Sequence, residues 1–238
     1  MAHQIIQQLK KAQDKSILPN DNWRREKSDG ISYLRYRICR PLIKSVFYTF
    51  RWWNNPTPWF APSAVNFFKE WLKKDMIGLE FGSGASSKFF AQRIKKLVSV
   101  EHHQGWYEHV SKWFKENQLD NIDYRFIAED LNFQTNELPQ FFEKLHLKKE
   151  DYVFKPQFWE YFHVADEFEN AYFDFILVDG RARVACLLNS IPKLKSGGLM
   201  ILDNSDRPSY QLAFKVLKDW EHFTCTTGLS DTTFWIKP

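Results

Sequence analysis

The sequence predicts an α/β protein: a doubly wound, seven-stranded, mostly parallel sheet that closes with an antiparallel hairpin and is preceded by a helical segment. Three observations carry this expectation. Short apolar runs alternate with stretches of helical period from about residue 62 onward, the pattern of a parallel sheet covered on both faces. Six of the nine glycines (Gly78, Gly82, Gly84, Gly180, Gly197 and Gly198) stand at the edges of those runs, where backbone shape matters more than a side chain. The closing residues, FTCTTGL and TTFWIKP around Ser-Asp, read as a hairpin.

Residues 1–60 form a segment that Pro19, Pro41, Pro56 and Pro58 are expected to cut into short helical pieces. The main domain is assigned to residues 61–238 and opens with PSAVNFFKEWLKKD, a helix with Ser63 as its N-cap. MIGLEF is a buried strand, SSKFFAQRIKKL a helix that starts right after two glycines, and LVSVE a second strand. GWYEHVSKWFKENQL is the next helix and IDYRFIAED a third strand. An aromatic-rich, irregular insertion at 131–170 then breaks the rhythm. YFDFILVDG, ARVACLLNSIPKL, GGLMILDN and PSYQLAFKVLKDWEHF resume it as strand, helix, strand and helix.

With 238 residues, 44% of them hydrophobic, the chain can bury a substantial core. Its longest apolar runs are only a few residues, against about 20 for a membrane span, and the N-terminus lacks a signal-peptide pattern, so a soluble, cytoplasmic protein is expected. Cys39, Cys186 and Cys225 are scattered and odd in number, which fits reduced thiols rather than a disulfide framework or a zinc site. The charge is uneven: residues 1–60 carry +7 and the remainder −3. Trp23, Tyr33, Tyr36, Phe47, Tyr48, Trp52 and Trp53 share that basic segment, a composition suited to stacking on nucleic acid or to peripheral contact with an anionic membrane. The simpler reading is a helical cap with its charges in solvent. No feature of the sequence specifies an oligomer.

In a doubly wound sheet, ligands bind beyond the carboxyl ends of the strands where strand order reverses. Glu80-Phe-Gly82-Ser83-Gly84-Ala-Ser86 is the first strand-to-helix loop there. A dinucleotide fingerprint needs GxGxxG, and its third position here is Ser87. A carboxylate two residues before the first glycine, Glu80, suits a ligand carrying an ammonium group, with backbone N–H groups for its carboxylate. Glu101 ends the second strand, where an acid accepts both hydroxyls of a ribose. Asp130, or Glu129, follows the third strand and is placed to approach an adenine amino group, unless it is a solvated loop acid.

With EFGSGAS as its glycine motif, SVEH as the acidic end of the second strand, and FDFILVDG and GGLMILDN as strands four and five, the chain resembles the class I S-adenosylmethionine-dependent methyltransferases. The likeness covers roughly residues 61–238 and includes the terminal hairpin, which dinucleotide enzymes of the Rossmann type lack. It departs at Ser86, where a third glycine is common. The resemblance implies S-adenosylmethionine as cofactor, held by Glu80, Gly82, Ser83, Gly84, Ser86, Glu101, His102, Glu129 or Asp130, and Asp179.

Asp179 ends strand four, and Asp203-Asn204 ends strand five on the same edge. Three such oxygen ligands suit a hard cation, similar to the magnesium of catechol-type O-methyltransferases; the alternative is that Asp179 meets cofactor or substrate while Asp203 and Asn204 cap a turn. His102, His103 and His163 are candidate bases. Arg181 and Arg183 in DGRAR, with Arg207, are expected to clamp a carboxylate or phosphate. Asp179, Arg181 and His102 are therefore the catalytic candidates, acting on a small or lipid-linked, anionic acceptor, with the N-terminal segment and the 131–170 insertion as walls and lid. Competing readings are an RNA or DNA methyltransferase, which lacks an NPPY or DPPY sequence here, an NAD-linked oxidoreductase or epimerase, and a non-catalytic cofactor-binding protein.

Overall fold

The computed structural model describes residues 2–14, 30–55 and 57–238. Pro19, Trp23 and Pro56, and the side chains of Tyr33 and Tyr36, lie outside the described residues. Seven strands form one sheet in the order β3-β2-β1-β4-β5-β7-β6. They are β1 (Ile77–Phe81), β2 (Lys96–Glu101), β3 (Ile122–Phe126), β4 (Phe173–Val178), β5 (Leu194–Asp203), β6 (Glu221–Thr226) and β7 (Asp231–Ile236). β1 to β5 pair in parallel, and β7 inserts antiparallel between β5 and β6. This is the sheet expected from the sequence. The order runs outward in both directions from β1 and β4, so the crevice between their carboxyl ends is the switch point at which such sheets bind ligands.

Three helices precede the sheet: α1 (Ala2–Asp14), α2 (Gly30–Trp53) and α3 (Pro62–Trp71). Within it, α4 (Ala85–Ala91) follows β1 and α5 (Gln104–Glu116) follows β2, while the insertion carries α6 (Phe141–Lys144) and α7 (Trp159–His163). α8 (Arg183–Ser190) and α9 (Gln211–Val216) follow β4 and β5.

Each strand divides its side chains between two cores. Leu79, Phe81, Ile176, Val178, Met200 and Leu202 face one core, which is closed by α8, α9 and the 141–165 part of the insertion. Phe175, Leu177, Leu199 and Ile201 face the other, which is closed by α1, α3 and α4. Leu9, Phe68 and Phe90 are fully buried there, so α1 is part of the folded body.

Several elements differ from expectation. α3 starts at Pro62 with Ala61 as N-cap, because proline's fixed φ suits the first helical position; Ser63 lies inside the helix. α2 runs through Pro41. A mid-helix proline costs about 3 kcal/mol, and the stripe of Cys39, Ile43, Val46 and Phe47 packed against Leu229 offsets it. α9 ends at Val216 and β6 has begun by Glu221, so the expected long helix gives part of its length to the hairpin. β3 stops at Phe126, leaving Glu129 and Asp130 in an exposed loop.

Candidate functional site

Gly82 holds φ at +94°, and a Cβ on it would stand 2.7 Å from the backbone N of Gly180. The loops after β1 and β4 therefore touch backbone to backbone, and only glycine permits that approach. Gly82 N donates to Val100 O and Asp179 N to Phe81 O, both at 2.8 Å, fixing the two loops to the strand ends. A cavity of about 810 Å³ opens above them. Its lining includes Gly82, Ser83, Glu101, His102, Trp106, Asp179, Gly180, Arg181 and Arg207, with Tyr152, Val153 and Lys155 from the insertion. The insertion is thus a wall, as expected; among the described residues the N-terminal segment contributes nothing to the lining.

Glu101 stands at the rim. One carboxylate oxygen accepts from the backbone N–H groups of His102 and His103, both at 2.9 Å, with His102 Nδ1 at 3.0 Å. The other accepts from Ser83 N at 3.1 Å and Ser83 Oγ at 2.9 Å. Burial opposes ionisation, yet these donors hold the group at about 2. Trp106, one turn into α5, donates from its indole to Ser83 O at 2.8 Å and braces the loop from outside.

Glu80 does not face the cavity, contrary to the expectation that it meets a ligand amine. It is fully buried on the α4 side of the sheet. Its oxygens accept from the hydroxyls of Ser86 and Ser87, and from Ser99 at 2.9 Å. Side chains alternate along β1, so Glu80 points beneath the loop while its neighbours point into the other core. Burial dominates and raises the carboxyl to about 7 against the pull of the three hydroxyls. Ser86 is held in the same cluster and is likewise no part of the cavity lining. Glu129 and Asp130 are also absent from it; Asp130 instead accepts from the Asn132 backbone at 2.9 Å.

The strand-four and strand-five acids do converge, around a cation supplied by the chain. Arg183, expected to clamp a ligand, is buried. Its guanidinium lies 2.8 Å from Asp179 Oδ1 and 3.8 Å from Asp203 Oδ2, and it donates to the carbonyls of Asp179, Gly180 and Asp203. Asp203 also accepts from Thr232 Oγ1 and Asn204 Nδ2, each at 2.7 Å. Asn204 takes the left-handed conformation of a turn, φ 51°, and accepts from Arg207 at 2.7 Å. These residues do not fit magnesium: the guanidinium fills the electrostatic role assigned to the metal, and no group of three or more His, Cys, Asp or Glu among the described residues is arranged to hold one. Burial, then the charge of Asp203, pushes Asp179 upward against the charge of Arg183. Asp179, which lines the cavity, the buried Asp203 and Arg183 therefore behave as one polar unit.

The remaining candidates meet in the cavity. His102 Nε2 accepts from Arg181 Nε at 3.3 Å, and Nδ1 lies 3.0 Å from Glu101 Oε1. Arg207 and Lys155 face the same space. His103 also lines the cavity but caps α5, accepting from Trp106 N at 3.1 Å, whereas His163 lies against Trp159 in the insertion. Sequence reasoning missed Ser87, Ser99 and Trp106. A serine in the middle of the apolar strand KLVSVE was the available signal for Ser99.

No family model and no curated protein matches the chain. Among solved structures it is similar to an rRNA methylase from Streptococcus thermophilus, with TM-score 0.49 and 9% identity over 72% of this chain and 92% of that one. It is similar to an O-methyltransferase from Bacillus cereus in complex with SAH, with TM-score 0.45 and 14% identity over 68% and 74%. A tRNA (m1A58) methyltransferase from Aquifex aeolicus gives TM-score 0.45 and 14% identity over 72% and 66%.

Proposed function

We propose that this protein is an S-adenosylmethionine-dependent methyltransferase acting on a small or lipid-linked, anionic acceptor, with an oxygen as the favoured acceptor atom. The observation that carries the reading is the pairing of a side-chain-free backbone approach at Gly82 with an ionised Glu101 at the rim of one cavity. Glu101 would take the ribose hydroxyls. Its three backbone donors keep it in place, while Ser83 Oγ has Tyr124 Oη at 2.6 Å as a second partner and can release its bond to a ligand. Gly82 and Ser83 would hold the amino-acid end of the cofactor against bare backbone. When bound, the cofactor supplies a methyl group that is already electrophilic.

The chain's own work is then positioning and proton removal. Arg181, Arg207 and Lys155 give the acceptor side of the cavity a positive lining suited to a carboxylate or phosphate. Glu101 orients His102 through Nδ1, leaving Nε2 to take a proton once Arg181 turns to the acceptor. Asp179 and Asp203, tied to Arg183, support the cavity floor. The terminal hairpin favours this cofactor class over NAD, as does Ser87 at the third glycine position of the dinucleotide motif.

Calorimetric titration of the protein with S-adenosylhomocysteine and with NAD tests the assignment. S-adenosylhomocysteine is expected to bind and NAD to give no heat above dilution. Binding of NAD alone would overturn it.

A further inference from the structure

We infer that α2 is a membrane-docking element that lies flat on an anionic lipid surface. No residue of α2 lines the cavity, so this surface stands apart from the cofactor reading. α2 has two apolar faces. Ile43 and Phe47, with Cys39 and Val46, pack on the body of the protein. On the opposite side Leu34, Ile38 and Leu42 recur at every fourth residue, and Trp52 and Trp53 continue the same face near the helix end. These five are 59%, 70%, 67%, 76% and 75% exposed. Thr49, also on this face, donates its hydroxyl to Ser45 O at 2.9 Å, which mutes the polar interruption. Tyr48 and Trp59, edge to face at 6.0 Å and both half exposed, extend the aromatic end. A second apolar face of this size on a folded protein marks an interaction surface.

Charge selects the occupant. Gly30–Trp53 contains five arginines and lysines and no acidic residue. Of these Arg37, Arg40 and Lys44 fall along one flank of the exposed stripe, at the 3.6-residue period of the helix, while Arg51 is packed over the Trp59 ring at 3.7 Å. An apolar stripe flanked by cations, with tryptophans at one end, is the pattern of a helix lying in a lipid interface, where anionic headgroups meet the flank. A second copy would bring two wholly cationic helices together. Nucleic acid would require cations at the apex of the face, where phosphates would press, and among the described side chains the residues there are Leu34, Ile38 and Leu42. Among the described residues no helix is long and apolar enough to cross a membrane, so α2 lies on the surface rather than through it.

Docking also sets the orientation of the sheet. A Cβ on Gly228 would lie 3.2 Å from Ile43 Cγ2, so α2 rests on the turn between β6 and β7. Asp203, the last residue of β5, pairs with Thr232, and Thr226 pairs with Asp231. That turn therefore lies at the carboxyl edge of the sheet, the edge that carries the cavity.

The full chain would be sedimented with vesicles of phosphatidylcholine alone and with vesicles containing phosphatidylserine. Binding is expected only with phosphatidylserine, weakening as salt rises. Trp52→Ala/Trp53→Ala and Leu42→Asp are expected to lower vesicle affinity about tenfold or more, with an unchanged melting temperature. Arg37→Glu/Arg40→Glu should do the same, and Leu131→Ala, an exposed apolar site elsewhere, should change nothing. No sedimentation with either vesicle overturns the inference, as does undiminished binding by the α2 variants. A concentration-dependent dimer, or RNA binding, that the α2 variants abolish while vesicles stay unbound would equally overturn it.

Discussion

The underside and the rim of the glycine loop each hold one glutamate, and the two are driven in opposite directions. Glu80 and Glu101 sit on neighbouring strands, yet Glu80 is raised to about 7 and Glu101 is lowered to about 2. Glu80 is sealed against α4, where only three hydroxyls compensate for lost water. Glu101 is also well covered, but three backbone N–H groups and two side chains converge on it. Enclosure alone makes a carboxyl part of the scaffold, whereas enclosure with converging amide donors makes a fixed negative charge able to hold a ligand.

Extending this contrast to the buried arginine should give the heaviest loss. Arg183→Met leaves Asp179 and Asp203 without their cation and should cost about 3–5 kcal/mol, measured by urea denaturation. Adding Asp203→Asn should recover part of the loss, and no recovery would break the view of the three groups as one unit.

Glu80 comes next, and its sign follows from linkage. A carboxyl raised from 4.5 to about 7 stabilises the fold below pH 4.5 and loses that contribution as pH rises through 7. The full change is about 3 kcal/mol at 1.36 kcal/mol per unit. Melting temperature should fall between pH 4.5 and 7 in the wild type, and Glu80→Gln should flatten that fall. A parallel slope in both proteins would show that another group titrates.

Gly82→Ala should cost about 1–3 kcal/mol, from a left-handed φ and a Cβ forced onto Gly180. Unlike the two preceding changes, it should also abolish ligand binding while the protein is still folded, as seen by circular dichroism and titration. Stability should change least for His102→Gln, by about 1 kcal/mol, because the ring is mostly covered and lies against Glu101. It should nonetheless slow turnover about a hundredfold, the contribution of a general base. Retained turnover would remove His102 from the chemistry.

The central strands are legible in the sequence because β1, β4 and β5 are short, mainly apolar runs with glycines at their edges, and Glu101 is legible because it ends the next apolar run. Glu80 is not, because its place beside the glycines is the same whichever side of the sheet it faces; only the alternation along β1 decides, and that needs the register of Leu79 and Phe81 against the core. Arg183 escapes for a related reason. DGRAR offers two arginines to the cavity, and the start of α8 sends one back under the loop and the other outward. The ends of α3 and α9 shift where proline chemistry and strand pairing override helical period.

The role given to the rim carboxylate stands or falls on a thermal melt with saturating S-adenosylhomocysteine, run on the wild type and on Glu101→Ala. At 100 times its dissociation constant the ligand adds about 2.7 kcal/mol, a rise of about 5–10 °C for a chain of this size. The expected result is that rise in the wild type and little or none in Glu101→Ala. No rise in the wild type, or an equal rise in the variant, would contradict the assignment of Glu101 to the cofactor.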